Sequence, residues 1–189
     1  MTGAGAGHEA VPSPARLPDA DGSGPAADVL RARRGGELSA LDRLLLHSPA
    51  VAQGWSALLG ALRNATTLAP DLTELVVLRV AVLNDAPFEW AAHEPAARRA
   101  GVTDEQLAAL RMPDGVPDAA FSPVQSAVLR FTDASSRQVA VPDEVFAQVR
   151  AHLDDRQVVE LAVTVGGYAM VSRFLVALEV PPPAGEVAG

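Results

Sequence analysis

An all-α fold is predicted by three observations on this sequence. Apolar residues recur at helical spacing through every long segment, as in Leu72, Leu75, Val76, Leu78 and Val80. No stretch shows the sustained alternation of a half-buried strand. Aromatics make up only 4 % of a composition dominated by Ala, the best helix former, whereas aromatic and β-branched residues are what strands favour. With 189 residues the chain is long enough to bury the core of one domain.

Residues 1–28 are rich in Gly, Ala, Pro, Ser and Asp and hold almost no large apolar side chain, so they are expected to form a disordered tail. The helical domain is expected over residues 29–180. Its first helix runs from Val29 to His47 with Leu30, Leu38, Leu41, Leu44 and Leu45 on one side. Ser48-Pro49 gives an N-cap and a first-turn proline for a helix to about Thr66 that carries Val51, Trp55, Leu58, Leu59 and Leu62. The helix from Pro70 to Leu83 places one carboxylate, Glu74, in an apolar surface, with Arg79 its only other charge beyond the cap region. A short Asn84-Asp85 connection folds it against the next helix, which Asp85 caps, Pro87 opens and Gly101 stops. Thr103 to Gln106 is a capping-box start for a short helix to Leu110, and residues 112–120 form a connection. Ser122-Pro123 opens a helix over 122–137, Pro142 another to about His152, and Asp154 or Asp155 a last long one. That last helix is apolar almost all round, from Val158 through Leu161, Val165, Tyr168 and Val171 to Leu178, and must be covered by the domain or by another subunit. Residues 181–189 are expected to be coil.

Charge and cysteine content exclude several functions. The formal net charge is −8, and all 15 basic residues are Arg. Clustered cations for a nucleic-acid backbone are missing, and the knot Arg31, Arg33 and Arg34 is explained by a solvated helix end. Without a single Cys the chain can form no disulfide, no thiolate metal site and no dithiol redox cycle. No apolar run reaches the roughly 18 to 20 residues of a membrane span, and no leader pattern stands at the N-terminus, so a cytoplasmic protein is expected.

Acid/base chemistry has one candidate location. Glu89 and His93 stand four residues apart on one helix face and can touch, and the hairpin brings Glu74 against that face. Two carboxylates and an imidazole in apolar surroundings make a proton-handling set, although Glu89 and His93 could equally be a surface pair worth a few tenths of a kcal/mol. The same three groups could offer one imidazole and two carboxylates to a metal, but no second His lies in the motif. His47 and His152 are explained by helix ends, so neither a metal nor any other cofactor is expected. Phe88 and Trp90 flank the pair and could line a substrate pocket or simply pack in the core. Tyr168 and Arg173, on the buried last helix, each need a polar partner and could contact a carboxylate substrate, while Arg79 could neutralise Glu74 or bind substrate.

The hairpin and the segments C-terminal to it resemble the carboxymuconolactone decarboxylase family, whose fold is shared with alkylhydroperoxidase D. The residues that carry the likeness are Leu72-Thr73-Glu74-Leu75, Leu78-Arg79-Val80-Ala81, Phe88-Glu89-Trp90-Ala91-Ala92-His93 and Ala97-Arg98-Arg99-Ala100-Gly101-Val102-Thr103 with Glu105. Leu129-Arg130-Phe131-Thr132-Asp133 and the run from Gly167 to Phe174 are similar to its cysteine-free branch, and the likeness spans residues 37–180. In the peroxidase members a Glu, a Cys-x-x-Cys pair and a His form a proton relay. By position Glu74 and His93 match the relay groups, and Ala86 and Glu89 stand where the cysteines would be. The resemblance implies a helical bundle that assembles into trimers or hexamers, and proton transfer next to a carbonyl, lactone or carboxylate in place of peroxide reduction.

Two functions fit this pattern. The first is a cofactor-free lyase or isomerase on a small-molecule substrate, with His93 as base, Glu89 orienting it or returning the proton, and Glu74 setting its charge. The second is a non-catalytic oligomeric scaffold or small-molecule-binding protein that kept the fold without the redox pair.

Overall fold

A computed structural model of the chain describes residues 15–182, and among them every regular element is helical. In chain order these are α1 (Pro25–Arg34), α2 (Ala40–Leu45), α3 (Pro49–Asn64), α4 (Pro70–Leu83), α5 (Pro87–Arg99), α6 (Asp104–Leu110), a 3₁₀ turn (Asp118–Ala120), α7 (Pro123–Gln138), α8 (Asp143–Arg150) and α9 (Asp155–Ala177).

Local signals place most of these ends. Thr103 with Gln106, Ser122 with Gln125 and Asp154 with Gln157 form reciprocal capping boxes, each satisfying two backbone donors that a helix start leaves unpaired. Pro stands in the first turn of α3, α4, α5 and α7, where its missing N–H is no loss. The expected helix from Val29 to His47 is in fact two. Gly35, with φ 78°, ends α1, and Ser39 caps α2 through a box with Asp42.

Asp85 does not cap α5. It ends α4 in the left-handed conformation, φ 50°, where its N–H bonds the Val82 carbonyl and the next N–H, of Ala86, reaches back to Ala81 at 2.9 Å. Two late carbonyls of α4 are satisfied in this way, and Asp is among the residues that tolerate the geometry. Ala86 is left as the N-cap of α5, with no side chain able to cap.

α4 is the central rod and packs against α5, α7 and α9. Leu72, Val76 and Val80 join a core shared with α1, α2, α3 and α9, while Leu75, Leu78 and Ala81 join a second core with Trp90, Leu107, Leu110 and Leu129. A helix that feeds two cores is apolar around most of its circumference, and each large side chain so buried contributes about 1.5–3 kcal/mol.

The tail boundary at residue 28 is corrected. Residues 1–14 lie outside the described residues, but α1 begins at Pro25, and Ala26, Ala27 and Leu30 are in the core. Ahead of it, Arg16 docks on the end of α9: its N–H bonds the Leu178 carbonyl, and its guanidinium meets the Ala177 carbonyl and Glu179. A cation beside the last carbonyls of a helix is favoured by the helix dipole. Of the expected C-terminal coil, residues 181 and 182 are without regular structure and the rest lies outside the described residues.

α9 also corrects the expectation that no segment is long and apolar enough to cross a membrane. An 18-residue stretch of its 23 residues, with a mean hydropathy of 1.4, meets that requirement by length and composition. In this fold it is a core helix in contact with α3, α4, α5, α7 and α8. One face stays open, with Val159, Val163 and Met170 exposed beside Gly166 and Arg173.

Candidate active site

A cleft of about 420 Å3 opens where α3, α4, α5 and α9 converge, and α1 reaches its edge. Glu74 of α4 and His93 of α5 meet on its wall, Nδ1 to Oε2 at 2.9 Å. The α4–α5 hairpin brings them together, as expected. A carboxylate only accepts, so Nδ1 carries the hydrogen of this bond and Nε2 of the neutral ring holds the free lone pair. Nε2 has no hydrogen-bond partner among the described residues.

Tyr168 of α9 stands beside this pair with its ring perpendicular to the imidazole, centroids 5.1 Å apart. The ring is 1 % exposed, and the hydroxyl accepts a hydrogen bond from Arg63 Nε at 3.2 Å. Because the oxygen already receives Arg63, the phenolic hydrogen is free to be donated elsewhere. Burial pushes the hydroxyl up from its ordinary range, against the pull of the Arg63 charge.

Glu89 and His93 do not bond to each other. Glu89 is 1 % exposed and accepts a hydrogen bond from Ser172 of α9 at one oxygen, while the other has no partner. Burial pushes its carboxyl up to about 8, opposed by the Ser172 bond and by the charge of Arg63. At neutral pH it is a neutral acid. The two carboxylates and the imidazole therefore do not come together as one set, and among the described residues no group of three or more His, Asp and Glu is arranged to hold a metal.

Four other expected site residues lie elsewhere. Arg79 is fully buried and does not meet Glu74. It donates to Asp133 at 2.5 and 2.8 Å and to the carbonyls of Leu110 and Met112 at 2.8 and 2.7 Å, joining α4 to α7 and to the end of α6. Trp90 packs in the second core, where its N–H bonds Glu94 at 2.5 Å and the Arg111 guanidinium lies 3.8 Å over its ring. Phe88 packs in the main core. Neither aromatic lines the cleft. Arg173 is exposed on the open face of α9, because the helix turns Tyr168, Val171 and Ser172 inward.

Sequence reasoning missed Arg63 and Ser172, whose partners lie 105 and 83 positions away. Ser172 had a signal, a hydroxyl inside an apolar helix that needs a bond once buried. Arg63 had none.

The cleft on a helical hairpin packed against a long final helix defines the class, an alkylhydroperoxidase D-like helical fold. A peroxidase-related protein with that core from Ralstonia eutropha JMP134 superposes with a TM-score of 0.77 at 17 % identity, over 93 % of this chain and 95 % of its own. A peroxidase-related protein from Silicibacter sp. TM1040 does so with 0.75 at 18 % identity, over 93 % and 96 %. A cysteine-to-alanine variant of the debrominase Bmp8, bound to 2,3,4-tribromopyrrole, gives 0.70 at 16 % identity, over 83 % and 84 %. No curated protein matches the chain. Residues 49–134 match the carboxymuconolactone decarboxylase family, and the chain has no cysteine.

Proposed function

We propose that the chain is a cofactor-free enzyme of the lyase or decarboxylase type that moves protons on a small carbonyl, lactone or carboxylate substrate. The observation that carries this reading is the Glu74–His93 hydrogen bond on the wall of an open cleft. Glu74 holds Nδ1 and stabilises the imidazolium that forms, and Nε2 is the general base. The proton leaves a carbon next to a carbonyl for Nε2, and the electron pair moves onto the carbonyl oxygen. The Tyr168 hydroxyl, held by Arg63, donates to that oxygen. In an isomerisation Nε2 then returns the proton to another carbon. In a decarboxylation no C–H proton is taken first: the carboxylate leaves as carbon dioxide while its bonding pair moves onto the carbonyl oxygen. The imidazolium form of His93 then gives its Nε2 proton to the carbon and is reprotonated from solvent. The orienting role expected of Glu89 passes to Glu74, and a neutral Glu89 adds no second negative charge beside the imidazole. Dithiol peroxide reduction is outside this chemistry, since the chain has no Cys.

The test is exchange of carbon-bound hydrogen in deuterated water, followed by NMR over a panel of small ketones, lactones and keto acids. His93→Ala should lower the rate about 10²- to 10⁴-fold, the usual worth of a positioned acid or base, and Glu74→Gln should lower it by less. Unchanged exchange in His93→Ala overturns the reading.

The second reading is the scaffold or binding protein, and the open face of α9 favours it as much as it favours an enzyme. Under either, we propose a cytoplasmic homo-trimer or hexamer in which further copies cover Val159, Val163 and Met170.

A further inference from the structure

We propose that Arg63 and Arg34 form a carboxylate-binding subsite, so that the ligand of the cleft is an organic anion with an apolar body. The inference deepens the acid/base reading of the same cleft and rests on it for where the reacting carbon lies.

Arg63 carries the argument. Its one hydrogen bond, from Nε, goes to a neutral phenol, and among the described residues no carboxylate lies within ion-pair distance of it. Nη1 and Nη2 are left without protein partners on the cleft wall. A guanidinium held by Nε presents those two nitrogens as a planar fork, the shape that meets both oxygens of a carboxylate.

Arg34, from the last turn of α1, lines the same cleft, outside the residues that match the family. It shares the buried carboxylate of Asp42 with Arg33, whose Nη2 stands 3.2 Å from Oδ1. Asp42 also accepts the Ser39 N–H and hydroxyl at 3.0 and 2.7 Å, so one carboxylate serves two guanidiniums and a helix cap. Arg33 Nη1 is buried without a partner. Burial and the neighbouring charge of Arg34 lower the Arg33 pKa against the pull of Asp42, and Arg63 adds to the effect. Glu37 borders the outer side of the cluster but forms no ion pair with it. Two guanidiniums on one carboxylate leave a positive charge that Asp42 does not offset, and Arg63, which has no carboxylate partner, adds a second at the cleft.

Leu62, Leu68, Ala92 and Ala96 give the cleft apolar lining for the body of such a ligand. Glu74 orients it, because a second carboxylate is repelled from the His93 side and drawn to the arginines. Only the Tyr168 ring separates Arg63 from His93, so a body the size of one aromatic ring spans anchor and base.

Binding is measured by NMR titration of the full chain with three probes: benzoate, its neutral isostere benzamide, and inorganic phosphate. Benzoate is expected to bind at least about tenfold tighter than either of the others, and Arg63→Gln to remove that advantage while keeping the wild-type melting temperature within a few degrees. Arg130→Gln, at a separate cleft, removes the same charge and should leave benzoate affinity within about twofold. Equal binding of benzoate and benzamide, phosphate binding as tight as benzoate, or an Arg63→Gln protein that binds benzoate like the wild type would each overturn the subsite. The two readings fail separately. Carbon-acid exchange that benzoate does not inhibit removes the subsite and leaves the base, whereas Arg63-dependent benzoate binding without any exchange removes the base and leaves the subsite.

Discussion

Glu89 shows how one side chain can change character without changing neighbours in sequence. Exposed, it would be an ionised partner for His93 one turn on. Enclosed beside Ser172, it holds its proton up to about pH 8. The consequence for stability has a definite sign. The unfolded carboxyl, near 4.5, gives up its proton while the folded one keeps it, so between about pH 4.5 and 8 the folded state binds more protons and stability falls as pH rises. The slope from this group reaches at most about 1.4 kcal/mol per pH unit, and it vanishes below the unfolded and above the folded value. Glu89→Gln removes it. Thermal melts of the two proteins are expected to diverge between pH 4.5 and 8, with the Gln protein increasingly the more stable. Parallel curves across that window would show that Glu89 ionises freely.

At the scale of elements, the α4–α5 hairpin is held from outside as much as by its own contacts. Arg79 commits its whole guanidinium to Asp133 and to the last carbonyls around α6, where a buried cation meets both an anion and the negative end of a helix. Removing it leaves a partly buried carboxylate and two carbonyls without donors. Arg79→Leu is expected to cost about 3–5 kcal/mol, the range for breaking a buried pair from one side. Denaturant unfolding of Arg79→Leu beside Arg79→Leu/Asp133→Leu checks it. The double variant, with no uncompensated charge, should recover part of the loss, and a single variant as stable as the wild type contradicts the assignment. Arg79 sits five residues beyond Glu74 on the same helix, so its bonds to α7 and to the end of α6 add to the packing that holds Glu74 toward the cleft.

At the scale of the whole molecule, α9 does two jobs with two faces. Inward, Leu161, Val165, Tyr168, Val171 and Leu175 close the main core and deliver Tyr168 and Ser172 to the site. Outward, Val159, Val163 and Met170 leave an apolar strip on the surface, with Arg173 at its edge. Under the proposed assembly this strip is the surface that further copies cover. If copies of the chain cover it, Val163→Asp should shift light-scattering mass from the oligomer to the monomer while leaving helical circular dichroism unchanged. A wild-type protein that is already monomeric at high micromolar concentration would remove the assembly from the reading.

The sequence by itself determined the all-α class, the start of every helix from α3 to α9, and the meeting of Glu74 with His93. Capping boxes and first-turn prolines act within four residues, and a short turn leaves a hairpin little choice of partner. Tertiary structure decided where the long polar side chains went. Arg79 found Asp133 54 positions on, Arg63 found Tyr168 105 positions on, and Glu89 found Ser172 across the bundle. α4 and α9 are apolar around most of their circumference, so their own periodicity does not say which way they rotate. Only packing against the other helices chose the rotation, and with it put Tyr168 inside, Arg173 outside, and the N-terminal helix with Arg34 at the edge of the cleft.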